Sequence, residues 1–376
     1  MNLSYWEQQT YFSNISVAII GSGIVGLNAA IQLKSHNPKA VIQVFERGVL
    51  PSGASTKNAG FACFGSVSEL LSDLDKYSEN EVFTLVERRW RGLQKLRQIL
   101  GDNAIQFENY GGYELFDKED FYTKCADKIA VLNQHLAEIV GKNAYQIADK
   151  KIKDFGFEQI KHLIFNAYEG QIHTGKMMKA LTEKARNMGV EILNGVCIES
   201  IHQIETGVDL VLQDDTIIKA QQALVTTNGF ARQLLPELDV VPGRGQVIVT
   251  KPIPHLRLEG TFHYDEGYYY FRNIDGCILL GGGRNLDFEA EATTQFGFTD
   301  LVQDKLQQLL LEVILPNQPV DIQARWSGIM GFGSQQAPIV KQVSEHVFCA
   351  VKMQGMGVAL GSLVGEEVAQ LIINNS

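Results

Sequence analysis

Three glycines and one acid carry the clearest chemical signal in the chain. In the run Gly21-Ser22-Gly23-Ile24-Val25-Gly26 the glycines fall in the order Gly-x-Gly-x-x-Gly. The first permits a tight turn, the second lets backbone approach a pyrophosphate, and the third lets a helix pack closely on a strand. A helix starting there presents free N–H groups and the positive end of its dipole to phosphate. Glu46 lies 20 residues beyond Gly26, an interval at which a carboxylate can accept hydrogen bonds from a ribose. Together these residues predict a bound dinucleotide. A small-residue loop follows, Gly53-Ala54-Ser55-Thr56-Lys57-Asn58-Ala59-Gly60, where an NAD-dependent dehydrogenase would usually continue with strand–helix units. Its hydroxyls and amides can approach a cofactor closely, which favours FAD.

A second group of residues suits a substrate. Tyr268 and Tyr270 share one face of a period-2 strand and Tyr269 takes the other. Two rings and two hydroxyls directed into a pocket fit a small amine, and the same pair would serve equally well as core aromatics. His263, just before that strand, is the one of eight histidines placed to face the pocket. Arg244 and Arg284 are candidate anion clamps, Arg284 because it follows three glycines at a strand end. No catalytic triad is visible and none is required. Hydride transfer from a C–H beside a neutral amine needs orientation and a dry pocket more than a protein acid or base.

The elements that must position these residues are legible in outline. Residues 16–20 read as a strand, 27–34 as a helix and 40–45 as a second strand, a unit of about thirty residues that opens a parallel sheet. From 66 to about 151 the pattern turns to amphipathic helices such as 81–100 and reads as an insertion. Sheet building resumes with a helix at 176–188, a strand at 190–193 and a hairpin joining 208–212 to 217–220 through Asp214-Asp215. The strand 223–226 then enters Thr227-Asn228-Gly229, and Asp275-Gly276 marks a hairpin turn after the tyrosine strand. A strand at 347–351, a turn at 354–357 and a helix at 358–373 finish the first domain at the end of the chain.

Composition narrows the partners. Of 376 residues 45% are hydrophobic and 20% charged, as in ordinary globular proteins, and no apolar run reaches the roughly 18 residues a membrane helix needs. The first fifteen residues lack a basic stretch ahead of an apolar one, so no signal peptide is expected and the cytoplasm is the default. Five scattered cysteines without a Cys-x-x-Cys argue against a disulfide framework or a metal site. A formal charge of -10 with no basic stripe disfavours nucleic acid.

In these pieces the chain resembles the D-amino-acid oxidase family of flavoproteins, which includes glycine oxidase, sarcosine oxidase and γ-glutamylputrescine oxidase. The matching motifs are Gly21 to Gly26, Glu46-Arg47, the 53–60 loop, 226–229, Pro242-Gly243-Arg244-Gly245-Gln246, 268–283, Trp326-Ser327-Gly328 and Gly355-Met356-Gly357-Val358-Ala359-Leu360. The resemblance implies an α/β fold: a Rossmann-like FAD-binding domain of the glutathione-reductase type, with an α+β substrate domain whose mainly antiparallel sheet roofs the flavin. The expected division gives 1–70, 151–235 and 325–376 to the FAD domain and 71–150 and 236–324 to the substrate domain. By the same resemblance Ser55, Thr56, Asn58 and Ala59 line the flavin and Ile198 lies beside the adenine. Thr227, Asn228 and Gly229 join the cofactor set, and Met356 joins Tyr268, Tyr270, His263 and Arg244 as a candidate catalytic residue. A helix N-terminus at 355–359 can stabilise negative charge on the pyrimidine edge of a reduced flavin.

Departures from the family pattern bear on the substrate. Relatives of the glycine oxidase type carry a carboxylate-binding arginine just after Trp-x-Gly, where this chain has Met330. The lysine that assists oxygen activation in sarcosine oxidases corresponds to Leu279, and their C-terminal substrate lysine to Ala359. Gly333-Ser334-Gln335 offers no cysteine to tether flavin, so FAD is expected to be noncovalent. The expectation is an FAD-dependent oxidoreductase that converts a small primary or secondary amine to an imine, with O2 or another electron acceptor reoxidising the flavin. The alternatives are an amino-acid oxidase that holds its substrate through Arg244 or Arg284, and a flavin-binding protein without amine turnover.

Overall fold

A computed structural model describes residues 3–316 and 318–375. The strand Ile15–Ile20 pairs in parallel with Ile42–Glu46 on one side and Ile217–Val225 on the other. Glu191–Asn194 extends the sheet beyond Ile42–Glu46, and Val347–Val351 and then Ile339–Ser344 extend it at the opposite edge. The first three of these strands are buried along most of their length, as central strands of a parallel sheet must be. A meander of Ile198–Ile204 and Gly207–Leu212 branches from the N-terminal half of Ile217–Val225. The helices Ile24–His36, Thr174–Asn187 and Gly357–Asn374 cover one face and enclose an apolar core with Ile19, Val44 and Leu224. Val208, Leu210, Ile218 and Val240 close the other face.

The second sheet has eight strands in the order Ile322–Phe332, Val241–Thr250, Cys277–Gly282, Tyr269–Ile274, Thr261–Tyr264, Gly112–Phe116, His162–Asn166, Tyr145–Ile147. Every pairing is antiparallel except that of Thr261–Tyr264 with Gly112–Phe116. Two features differ from expectation. The stretch 66–151 is not wholly helical, because Gly112–Phe116 and Tyr145–Ile147 supply strands to this sheet. The expected division gives 162–166 and 325–332 to the FAD domain and 322–324 to the substrate domain, whereas all three lie in this second sheet. The hairpin turn at Asp275 and Gly276 has positive φ at both residues, 49° and 75°, the type I′ geometry that follows the twist of its strands.

Candidate flavin and substrate site

The two sheets share a cavity of about 660 Å³. Its cofactor end starts at the glycine turn, where Gly21 takes φ 108° and the helix Ile24–His36 begins at Gly23. A Cβ on Gly26 would lie 2.1 Å from the Gly21 carbonyl oxygen, so this glycine lets helix meet strand while Gly21, Gly23, Ile24 and Val25 line the cavity. Ser22 is buried behind the turn, its hydroxyl donating to Glu46 Oε2 at 2.8 Å. The Glu46 carboxylate also accepts from Gly48 N at 3.0 Å and Ser52 Oγ at 3.1 Å. It is thereby fixed at the end of its strand, where ribose hydroxyls would share or replace the two serine hydroxyls. Arg47 stacks 3.8 Å over the Phe230 ring, and Ile198 lies on the same wall.

The 53–60 loop folds as a single helical turn, Ala54–Lys57, beneath the cavity. Ser55 Oγ accepts from Ile24 N at 2.9 Å and so ties the loop to the glycine turn. Asn58 caps the loop: its Oδ1 accepts from Gly60 N and Thr174 Oγ1. Ser55, Asn58 and Ala59 line the cavity, whereas the Thr56 hydroxyl turns back to the carbonyls of Pro51 and Gly53. From the far end of the chain, left-handed backbone at Lys352, Gln354 and Gly355 turns the strand Val347–Val351 into the helix Gly357–Asn374. Gly355, Met356, Gly357, Val358 and Ala359 all face the cavity.

Asn228 ties together the ends of two neighbouring strands of the parallel sheet, since its Oδ1 accepts from Lys352 N and Met353 N just past Val347–Val351. Gly229 lies outside the cavity lining, where a Cβ would meet the Met330 carbonyl oxygen at 2.4 Å. The residues present fit FAD. Thr227 Oγ1 lines the cavity, is buried and has no protein partner. Neither N-cap residue at the two helix N-termini that line the cavity, Gly23 and Met356, caps its helix with a side chain; Ser55 Oγ takes only Ile24 N at the first, which leaves N–H groups for phosphate and for an electron-rich ring edge.

At the other end Tyr268 and Tyr270 face the cavity and Tyr269 packs in the core of the second sheet. Burial pushes the Tyr270 phenol up to about 12, so it stays a neutral hydroxyl. His263 sits opposite Tyr270 on the neighbouring strand, its ring 5.2 Å from that of Phe61. Burial alone would lower the His263 imidazole, but Glu169 Oε1, 2.5 Å from its Nε2, raises it to about 9. Cys63, Glu169 and His263 bring three donor atoms within 4.8 Å of one another, a cluster that the sequence spacing does not reveal. Its closest pair is already the Glu169–His263 hydrogen bond.

Arg244 is not part of this cavity. Its guanidinium is paired through two hydrogen bonds, 2.7 and 3.0 Å, with buried Glu291, which Gln246 and Thr299 also contact. Strand periodicity explains the miss: Gly245 and Val247 face the cavity, so 244 and 246 face away. Arg284 does line it. Its guanidinium carbon lies 4.0 Å from the Phe332 ring centre and 4.7 Å from that of Phe288, and burial holds its pKa below the usual arginine value. Its Cδ is 3.5 Å from where a Gly243 Cβ would be, and Gly243 is the cross-strand partner of Met330. Leu279 packs with Ala59 and Val247. Among the lining residues that escaped sequence reading are Phe61, just past the loop, and Arg89.

Residues 16–371 match the family described as DAO, FAD dependent oxidoreductase. A Haemophilus influenzae protein described as "Probable oxidoreductase OrdL" is 20% identical over 382 residues, covering 97% of this chain and 84% of that one. The bifunctional protein ThiO/ThiG of Synechocystis sp. is 25% identical over 294 residues, 74% of this chain and 40% of its own length. Among solved structures, L-proline dehydrogenase from P. horikoshii superposes with a TM-score of 0.77 at 16% identity, over 96% of this chain and 94% of that one. Glycine oxidase from Geobacillus kaustophilus does so with a TM-score of 0.76 at 19% identity, again over 96% and 94%.

Proposed function

The chain belongs to the DAO family of FAD-dependent oxidoreductases, and from that premise we propose that it oxidises the C–N bond of an amine that carries a carboxylate, with FAD bound noncovalently. The observation that carries this reading is Arg284, a cavity-lining guanidinium stacked between two phenyl rings with no acid paired to it among the described residues. A guanidinium suits a carboxylate through two parallel charge-assisted hydrogen bonds. Arg284 enters the pocket from the helical turn Arg284–Leu286, beside Gly243, the cross-strand partner of Met330, so the absence of an arginine at 330 does not leave the pocket without a cation.

Bound FAD would supply the acceptor for a hydride. The chain's own part is to orient and to dry the substrate. Tyr268 and Tyr270 offer ring faces and hydroxyls on one wall, and Phe61 and Met356 narrow the space opposite. With these in place the C–H bond next to nitrogen breaks as its hydride leaves. The nitrogen lone pair forms C=N, the N–H proton passes to solvent, and water then hydrolyses the imine. The N-terminus of the 357–374 helix lines the cavity and would stabilise negative charge that a bound flavin gains on reduction.

The test is anaerobic mixing of the flavin-loaded protein with amines that have and lack a carboxylate. Carboxylate-bearing amines should bleach the flavin, and Arg284→Ala should raise their KM on the order of a hundredfold, the worth of a lost bidentate pair. Equal bleaching by amines without a carboxylate, untouched by Arg284→Ala, would return the assignment to simple amines. Flavin that dithionite reduces and no amine reduces would point to a protein without amine turnover.

A further inference from the structure

A second guanidinium lines the same cavity with no acid in contact. Arg89 is only 4% exposed and lies on the apolar stripe of the helix Glu79–Leu100. Its Nη1 donates to the Phe64 carbonyl at 3.0 Å, and its Nε has no partner. The acids that share this arm of the cavity, Glu69 and Asp73, make no ion pair with Arg89, although the Arg89 charge opposes the rise that burial gives the Asp73 carboxyl. Glu69 Oε2 accepts from Ser66 N at 2.8 Å, and Asp73 Oδ1 accepts from Gln336 Nε2 at 3.0 Å. A buried guanidinium without a contacting counter-charge is costly, and an anion entering the cavity would relieve that cost with charge-assisted hydrogen bonds.

We propose that Arg89 is a second anion subsite and that the substrate is an amine with two carboxylates, one held at Arg284 and the other at Arg89. The inference rests on the Arg284 reading above. It adds a demand that reading does not make: two anionic groups on one molecule, on either side of the reacting C–N bond or at the two ends of an amino-dicarboxylate. The arms differ in character. Arg284 is sandwiched by aromatic rings and suits a carboxylate on an apolar surface, whereas the cavity lining that Arg89 shares with Glu69, Ser72, Asp73 and Gln336 suits a carboxylate that keeps some water.

Spectral titration of the flavin-loaded protein with ligands that cannot be oxidised to an imine tests this without turnover. Thiodiacetate, a thioether with two carboxylates, is compared with (methylthio)acetate, which has one. In the wild-type protein thiodiacetate should perturb the flavin spectrum with a Kd about tenfold lower or better. Arg89→Gln should remove that advantage and leave the (methylthio)acetate Kd within about twofold. Arg89→Lys should keep part of it, because the charge remains and the fork is lost. Arg284→Ala should weaken both ligands. Equal wild-type affinities for thiodiacetate and glutarate on one side and for (methylthio)acetate and butyrate on the other would overturn the proposal even if Arg89→Gln did not fold. So would an Arg89→Gln protein that weakens both classes alike. Binding of neither class would overturn the Arg284 reading itself, while equal binding of both leaves that reading standing.

Discussion

At the scale of single residues two buried titrating groups with opposite histories sit across from one another on neighbouring strands, His263 on the cavity wall and Glu114 behind it. Glu114 is pushed up to about 7 by burial, even though Ser68 donates to it. His263 is raised to about 9 by Glu169, against its own burial, with Glu69 and Glu114 adding to the effect, Cys63 beside it and Tyr270 opposite. A folded-state pKa above the unfolded one means that the folded protein binds the proton more tightly, so stability falls as pH rises between the two values. For Glu114 that window runs from the model-peptide value near 4.5 to about 7, and for His263 from 6.5 to about 9. Thermal unfolding of the wild-type protein should therefore show a loss on the order of 2 kcal/mol between pH 6.5 and 9. Glu169→Gln should be less stable at pH 6.5 and flat across that window. A wild-type profile without slope there would show that the imidazole is neutral throughout.

At the scale of elements, small residues set how closely the helices approach, and one of these contacts reaches the cofactor. A Cβ on Gly92 would lie 2.1 Å from the Ala359 carbonyl oxygen, and Ser362 Oγ donates to the Gly92 carbonyl. A Cβ on Gly365 would lie 2.8 Å from the Val25 carbonyl oxygen. Alanine raises helix propensity by about 1 kcal/mol, but overpacking against backbone costs about 1–3 kcal/mol, so both Gly92→Ala and Gly365→Ala should lower the Tm. They should part on cofactor affinity. Gly92 presses on the first turn of the helix Gly357–Asn374, which lines the cavity, whereas Gly365 lies two turns farther along. Gly92→Ala should weaken FAD about tenfold, or roughly 1.4 kcal/mol, with Gly365→Ala close to wild type. Equal FAD affinities in a fluorescence titration would deny that this helix contact positions the cofactor turn.

Across the whole molecule, what could be read from sequence follows the strength of periodicity. The strand–helix–strand opening, the Asp275-Gly276 hairpin and the closing strand–turn–helix are local patterns with their own turn chemistry, and each is present. Gly112–Phe116 is buried at all five positions, so it shows no alternation, and with helices on either side it reads as part of an insertion. Arg89 was hidden differently. It sits in register with Val82, Val86, Leu93 and Leu96 on an apolar stripe, and a charge at such a position was itself the missed signal. Among the described residues the chain crosses between the sheets four times, in 47–111, 167–190, 226–240 and 333–338, and the last two crossings meet where Asp239 Oδ2 accepts from Ser334 N and Oγ. Because the cavity is lined from both sheets, FAD bound there should stabilise both, and no cysteine stands in 333–335 to tether it. Acid precipitation should therefore release all the flavin into the supernatant. The apoprotein refilled with FAD at about a hundred times its Kd should gain about 2.7 kcal/mol, seen as one unfolding transition moved upward. Flavin that stays with the precipitate would refute noncovalent binding. Two transitions, of which FAD moves only one, would mean that the sheets unfold independently and that the cofactor draws its binding energy from the parallel sheet alone.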